Sequence, residues 1–151
     1  MTYRSIDLRA IHFMRKISVP VARFAIFLVF FWFGILKVFF ISPASPLVLA
    51  LLDVTMPFIP ADVFLACFGA LECIIGILFL IPGAERLAIL TLFLHLITTT
   101  MPLFLLPHLV WTGSFIPTLE GQYIVKNILL IATAIGIASH LHPLPRGHYL
   151  S

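Results

Sequence analysis

Four ionisable side chains, Lys37, Glu72, His95 and Lys126, fall inside long apolar runs of this chain. In hydrocarbon each costs a few kcal/mol unless it is paired or wetted, so each is a candidate for recognition or chemistry. Glu72 can pair with either lysine. Two lysines to one carboxylate at matched depth form a polar cluster able to hold a quinone headgroup or a small anion. The structural alternative is that both lysines reach for the outer interface while Glu72 makes a single ion pair. His95 reads as a core histidine bonded to a threonine before it reads as a ligand, and one buried histidine is weak evidence for haem.

Chemistry elsewhere in the chain is sparse. His140, His142 and His148 in the segment HLHPLPRGH offer imidazoles to a metal. No carboxylate or cysteine completes the set, and Pro143 and Pro145 stiffen it, so a solvated tail is expected and no metal site is assigned. No phosphate-binding glycine loop, dinucleotide fingerprint, CxxC pair, zinc-protease motif or GxSxG elbow occurs, so no autonomous catalytic machinery is visible. The cofactor stays open, with quinone as the candidate. Cys67 and Cys73 lie six apart on one expected helix, face different directions and read as buried, unbridged thiols.

Helices must position these groups. Four stretches, about 21–41, 61–81, 86–106 and 122–139, are each near the 20 residues that cross about 30 Å of hydrocarbon. Pro43, Pro46, Pro57 and Pro60 bracket the first connection, Pro82-Gly83 makes the second short, and Pro107 and Pro117 bracket the third. At about 1.5 Å per residue Lys37 lies about 21 Å above Arg23, and Lys126 about 9 Å below Glu120. Both lysines therefore reach the outer leaflet. Glu72, about 15 Å below Asp62, and His95, about 13.5 Å above Arg86, lie near the bilayer centre. Gly69 and Gly76 share the face of Glu72 and allow a close helix approach. Thr91, His95, Thr98 and Thr99 form a polar stripe on the third span, and Lys126, Thr133 and Gly136 a similar one on the fourth. Both stripes are expected to face the bundle interior.

Composition agrees with a membrane solvent. Of 151 residues, 62% are hydrophobic and 10% charged, against about 45–50% and about 25% in soluble domains. A water-soluble monomer is excluded. The net charge of +3 does not form a basic face with interleaved aromatics, which argues against nucleic acid as a partner. Seven Lys or Arg residues (Arg4, Arg9, Arg15, Lys16, Arg23, Arg86 and Arg146) fall on one side, and the connections 42–60 and 107–121 hold none. Both termini are therefore expected in the cytoplasm. No small-residue cleavage site follows the first apolar run, so the first span is expected to be retained. Before it, Ile6, Ala10, Phe13 and Ile17 at helical spacing predict an interfacial helix in the cytoplasmic segment 1–20. Pro46–Val54 and the stretch PHLVWTGSFIP are too short to span and too apolar for free solution, so both are expected to be re-entrant or interfacial on the outer face. The expected fold is a single all-α domain over 1–151. It is a polytopic membrane protein, an antiparallel bundle of four transmembrane helices, ending in a cytoplasmic tail at 140–151.

Three pieces carry a family resemblance: Arg23 followed by Gly34-Ile35-Leu36-Lys37, the stretch GALECIIGILFLIPGAERLA from Gly69 to Ala88, and EGQYIVKNILL from Glu120 to Leu130. Together they resemble the DoxX family of small four-helix membrane proteins, including its DUF417-like relatives, over most of the chain. The resemblance implies a bacterial-type plasma membrane, and matching positions at Lys37, Glu72, Lys126 and Asn127. The family takes its name from a membrane subunit of thiosulfate:quinone oxidoreductase, and other members are associated with oxidative stress. It thus implies a membrane subunit of a redox system. The competing reading is a non-catalytic bundle that scaffolds a partner membrane protein or a further copy. A permease ranks last, because four aromatic-rich helices leave little room for a wetted path.

Overall fold

The computed structural model describes residues 3–142, and most of them are helical. His148, Arg146, Pro143 and Pro145 of the expected tail lie outside the described residues. Helix α1 (Tyr3–Val38) is a continuous 36-residue rod, about 54 Å long at 1.5 Å per residue. The sequence divides this stretch into a surface helix and a span beginning at about residue 21, whereas the structure runs one helix through Pro20. Pro20 withholds a single N–H, and no glycine or turn signal beside it breaks the helical pattern. α1 closes with Phe40 at φ 58°, and the Ile41 amide donates to the Leu36 carbonyl at 2.9 Å.

Helix α2 (Ser45–Thr55) has Pro46 in its first turn and buries Leu51 and Leu52. It is too short to cross hydrocarbon. α3 (Ala61–Leu80) starts after Pro60, and Gly83 at φ +87° makes the tight turn into α4 (Glu85–Thr100). The one-turn helices α5 (Pro102–Leu105) and α6 (Pro107–Val110) follow, each opened by proline. Strands β1 (Trp111–Gly113) and β2 (Ile116–Pro117) then pair antiparallel, with Phe115 at φ 60° in the turn. This hairpin departs from the all-α expectation for the third connection, because strands of three and two residues leave no periodicity to read. α7 (Leu119–Val125) is capped by Thr118, whose hydroxyl accepts from the Gly121 amide at 3.1 Å, and α8 (Asn127–Ala138) follows after a break at Lys126.

Four helical stretches are long and apolar enough to cross a membrane: Ile6–Val38, Ala61–Leu80, Glu85–Leu105 and Leu119–Ala138. They share one core of Ile26, Phe30, Ile75, Phe79, Ala88, Leu92, Leu96, Ala134 and Ile137, drawn from α1, α3, α4 and α8. Leu94, Ile97, Ile128 and Leu129 turn outward, each more than half exposed. That distribution is compatible with an integral membrane protein, because exposing this surface to water costs about 25 cal/mol for each Å².

The tightest packing joins α1 and α3, with the two chains running in opposite senses: Arg23 meets Phe79 and Gly34 meets Gly69. A Cβ on either glycine would lie 2.6 Å from the other's carbonyl oxygen. Only glycine fits there. The crossing also sets Lys37 against the turn of α3 that carries Glu72.

Candidate functional site

At this crossing three polar side chains from three helices meet. The Lys37 ammonium donates to Glu72 Oε2 at 2.6 Å, and His95 Nε2 lies 3.3 Å from Glu72 Oε1. Their relative exposures are 4% for Lys37, 6% for Glu72 and 5% for His95. α1 supplies the lysine in its last turn, α3 the carboxylate three residues beyond Gly69, and α4 the imidazole. In the ion-paired state the carboxylate has only acceptors, so the second contact suits a hydrogen on Nε2. Neutral His95 is thereby left with a bare lone pair on Nδ1. That nitrogen is buried and has no hydrogen-bond partner among the described residues.

Aromatic rings close the site. Phe30 meets the His95 ring edge-on with centroids 5.3 Å apart, and the Phe68 ring lies 4.9 Å from it at an interplanar angle of 32°. The Lys37 ammonium is 5.9 Å from the Phe68 centroid, within reach of a cation–π attraction. In surroundings of low polarity the charges of the pair act on each other strongly, and an unsatisfied polar atom costs correspondingly more.

The structure assembles three of the five expected site residues. Lys126 is not among them: it is exposed, with its ammonium 5.0 Å from the Tyr123 ring centroid. The α7–α8 break falls at Lys126, and the residue turned toward α4 from this point is Asn127. Asn127 Nδ2 donates to Thr99 Oγ1 at 3.3 Å, one helical turn beyond His95. Asn127 therefore braces the helix that carries the histidine without touching the triad.

On the third span His95 and Thr99 of the polar stripe face the bundle, whereas Lys126 and Gly136 of the fourth-span stripe are exposed, contrary to expectation. Thr91, Thr98 and Thr99 donate to carbonyls of their own helix, as hydroxyls commonly do in an apolar solvent. Thr133 does the same, and Gly136 has open space beside it. Cys67 is exposed instead of buried, and Cys73 is half-buried with its thiol 3.7 Å from the Phe31 carbonyl; neither forms a disulfide. His140 Nδ1 donates to the Gly136 carbonyl at 2.9 Å. Among the described residues no group of three or more His, Cys, Asp or Glu is placed to hold a metal.

Arg23, read from the sequence as part of the basic flank, has a structural part as well. Its Nε donates to the Phe79 carbonyl at 2.6 Å and Nη2 to the Ile81 carbonyl at 3.0 Å, while Nη1 pairs with Glu85. The Phe79 carbonyl belongs to the last turn of α3, where helix acceptors go unpaired, and Ile81 is the residue that caps it. The available signal was an arginine beginning an apolar run and a glutamate just after the tight Pro82-Gly83 turn.

Compared with protein-family models, curated proteins and solved structures, the chain matches none.

Proposed function

We propose that this is a DoxX-like integral membrane protein that serves as the membrane subunit of a redox or oxidative-stress system. In this reading the four spans form an antiparallel bundle with both termini in the cytoplasm of a bacterial-type cell. The amphipathic first part of α1 accompanies the inner membrane surface, and α2 with the β-hairpin covers the outer end. The triad of Lys37, Glu72 and His95 receives a quinone headgroup in its reduced, hydroxyl-bearing form.

The observation that carries this reading is the buried, unpartnered Nδ1 of His95 beside an ion pair. Burying such an acceptor without a partner costs about 1–3 kcal/mol, a cost that a bound hydroxyl or a bridging group removes. Because Lys126 stands apart, one ammonium faces one carboxylate and no spare cation is left for a small anion. A neutral polar headgroup therefore fits this site better.

A scaffold role is favoured by a different observation, the mutual satisfaction of Lys37 and Glu72 at a glycine crossing. Copurification of the tagged chain from native membranes separates the two. A dehydrogenase or oxidase as the main companion supports the redox subunit, and a receptor or channel supports the scaffold.

A further inference from the structure

One aromatic side chain that packs on the triad is itself only half-buried. Phe68 lies on the apolar span α3, on the same face as Phe64 and Leu71, which are four residues before it and three after. Leu71 is 41% exposed, and Phe64 and Phe68 are half-buried. The Phe64 and Phe68 rings stack with centroids 5.6 Å apart. On its inner side the same Phe68 ring covers both His95 and Lys37. Phe30, on the far side of the imidazole, is buried in the shared core and has no such freedom.

We propose that Phe68 is a gate between the bilayer and the triad, and that the ligand it admits is a lipid-soluble molecule bearing a hydroxyl, which donates to Nδ1 of His95. The inference rests on the reading of the triad as a binding site and adds its entrance and the polarity of its ligand. The direction of the bond follows from placement: with Nε2 3.3 Å from Glu72 Oε1, the tautomer that carries its hydrogen on Nε2 suits the carboxylate and leaves Nδ1 to accept. The entrance follows from exposure, since the outward part of a residue within a membrane span meets acyl chains. Rotation of an aromatic side chain between staggered positions is an ordinary event when one of its faces is free. The stacked Phe64 ring gives Phe68 a surface to return to. Lys37 remains paired with Glu72 throughout, so no bare charge is exposed when the ring moves.

The test uses the full chain in lipid nanodiscs with 15N-labelled histidine rings, and phenol as the probe. The His95 signals are assigned by their loss in His95→Gln. Phenol is expected to move the Nδ1 resonance of the wild type from the bare toward the hydrogen-bonded position. Phe68→Ala is expected to show the same movement at lower phenol concentration and Phe68→Trp at higher. Phenolsulfonate, whose charge keeps it out of hydrocarbon, is expected to leave the resonance in place. An unmoved resonance with phenol in both the wild type and Phe68→Ala overturns the ligand assignment. Equal movement in all three proteins, or equal movement with phenolsulfonate, overturns the gate. A redox partner found by copurification alongside either negative result would leave the proposed function standing and remove this inference alone.

Discussion

Glu72 answers to two partners at once, and its environment makes each of them matter. With Lys37 2.6 Å away and both groups nearly free of solvent, removing one charge leaves the other buried without compensation. Glu72→Ala is expected to destabilise the protein by about 3–5 kcal/mol. Adding Lys37→Met should recover a large part of that loss, because residues in direct contact are not additive. Reversible unfolding in mixed micelles measures both, and strict additivity of the two substitutions would contradict the pairing. Lys37 and Glu72 were legible because an ionisable group deep in an apolar run has few acceptable places, whereas His95, expected on a threonine, instead lies 3.3 Å from Glu72. Lys126 was legible by type but not by direction. Each residue turns a helix by about 100°, and a break at Lys126 itself decides whether that position or its neighbour Asn127 faces inward.

At the scale of elements, backbone contact between α1 and α3 determines whether the triad forms. A methyl group at Gly69 would meet the Gly34 carbonyl at 2.6 Å and Lys37 Cβ at 2.8 Å. Gly69→Ala is expected to force the helices apart and cost about 1–3 kcal/mol. Gly136→Ala, which meets nothing within 4 Å, should be neutral or gain up to about 1 kcal/mol from helix propensity. Comparing the unfolding of the two variants tests whether close approach, and not glycine content, is what matters. Arg23→Ala should loosen the α3–α4 turn, seen as faster amide exchange at Ile81 to Glu85, because three bonds to that turn are lost. The spans were readable from length and proline punctuation. The unbroken passage of α1 through Pro20 and the Trp111–Pro117 hairpin were not. One depends on a helix tolerating a single missing N–H, the other on pairing too short to leave a pattern.

For the whole molecule, exposed leucine, isoleucine and phenylalanine over the four apolar stretches are compatible with an integral membrane protein, as the composition led one to expect. The orientation inferred from the lysine and arginine bias predicts that single cysteines at Asp53 and Ser114, in a background without Cys67 and Cys73, react with an impermeant reagent added outside. A cysteine at Asp7 should stay protected until the membrane is opened, and the reverse pattern would overturn the orientation. What no pattern of apolar residues could reveal is that side chains of three helices meet at the Glu72 carboxylate and leave His95 Nδ1 buried without a hydrogen-bond partner among the described residues. The most direct measurement is the unfolding temperature of the purified chain in nanodiscs as decylubiquinol, whose hydroxyls can donate to Nδ1, is added under reducing conditions. The bound quinol should raise the stability of the wild type with concentration, by about 2.7 kcal/mol at a hundredfold excess over Kd, and His95→Leu should lose most of that rise while still folding. No rise at any concentration, or an equal rise in His95→Leu, would contradict a quinone site at the triad.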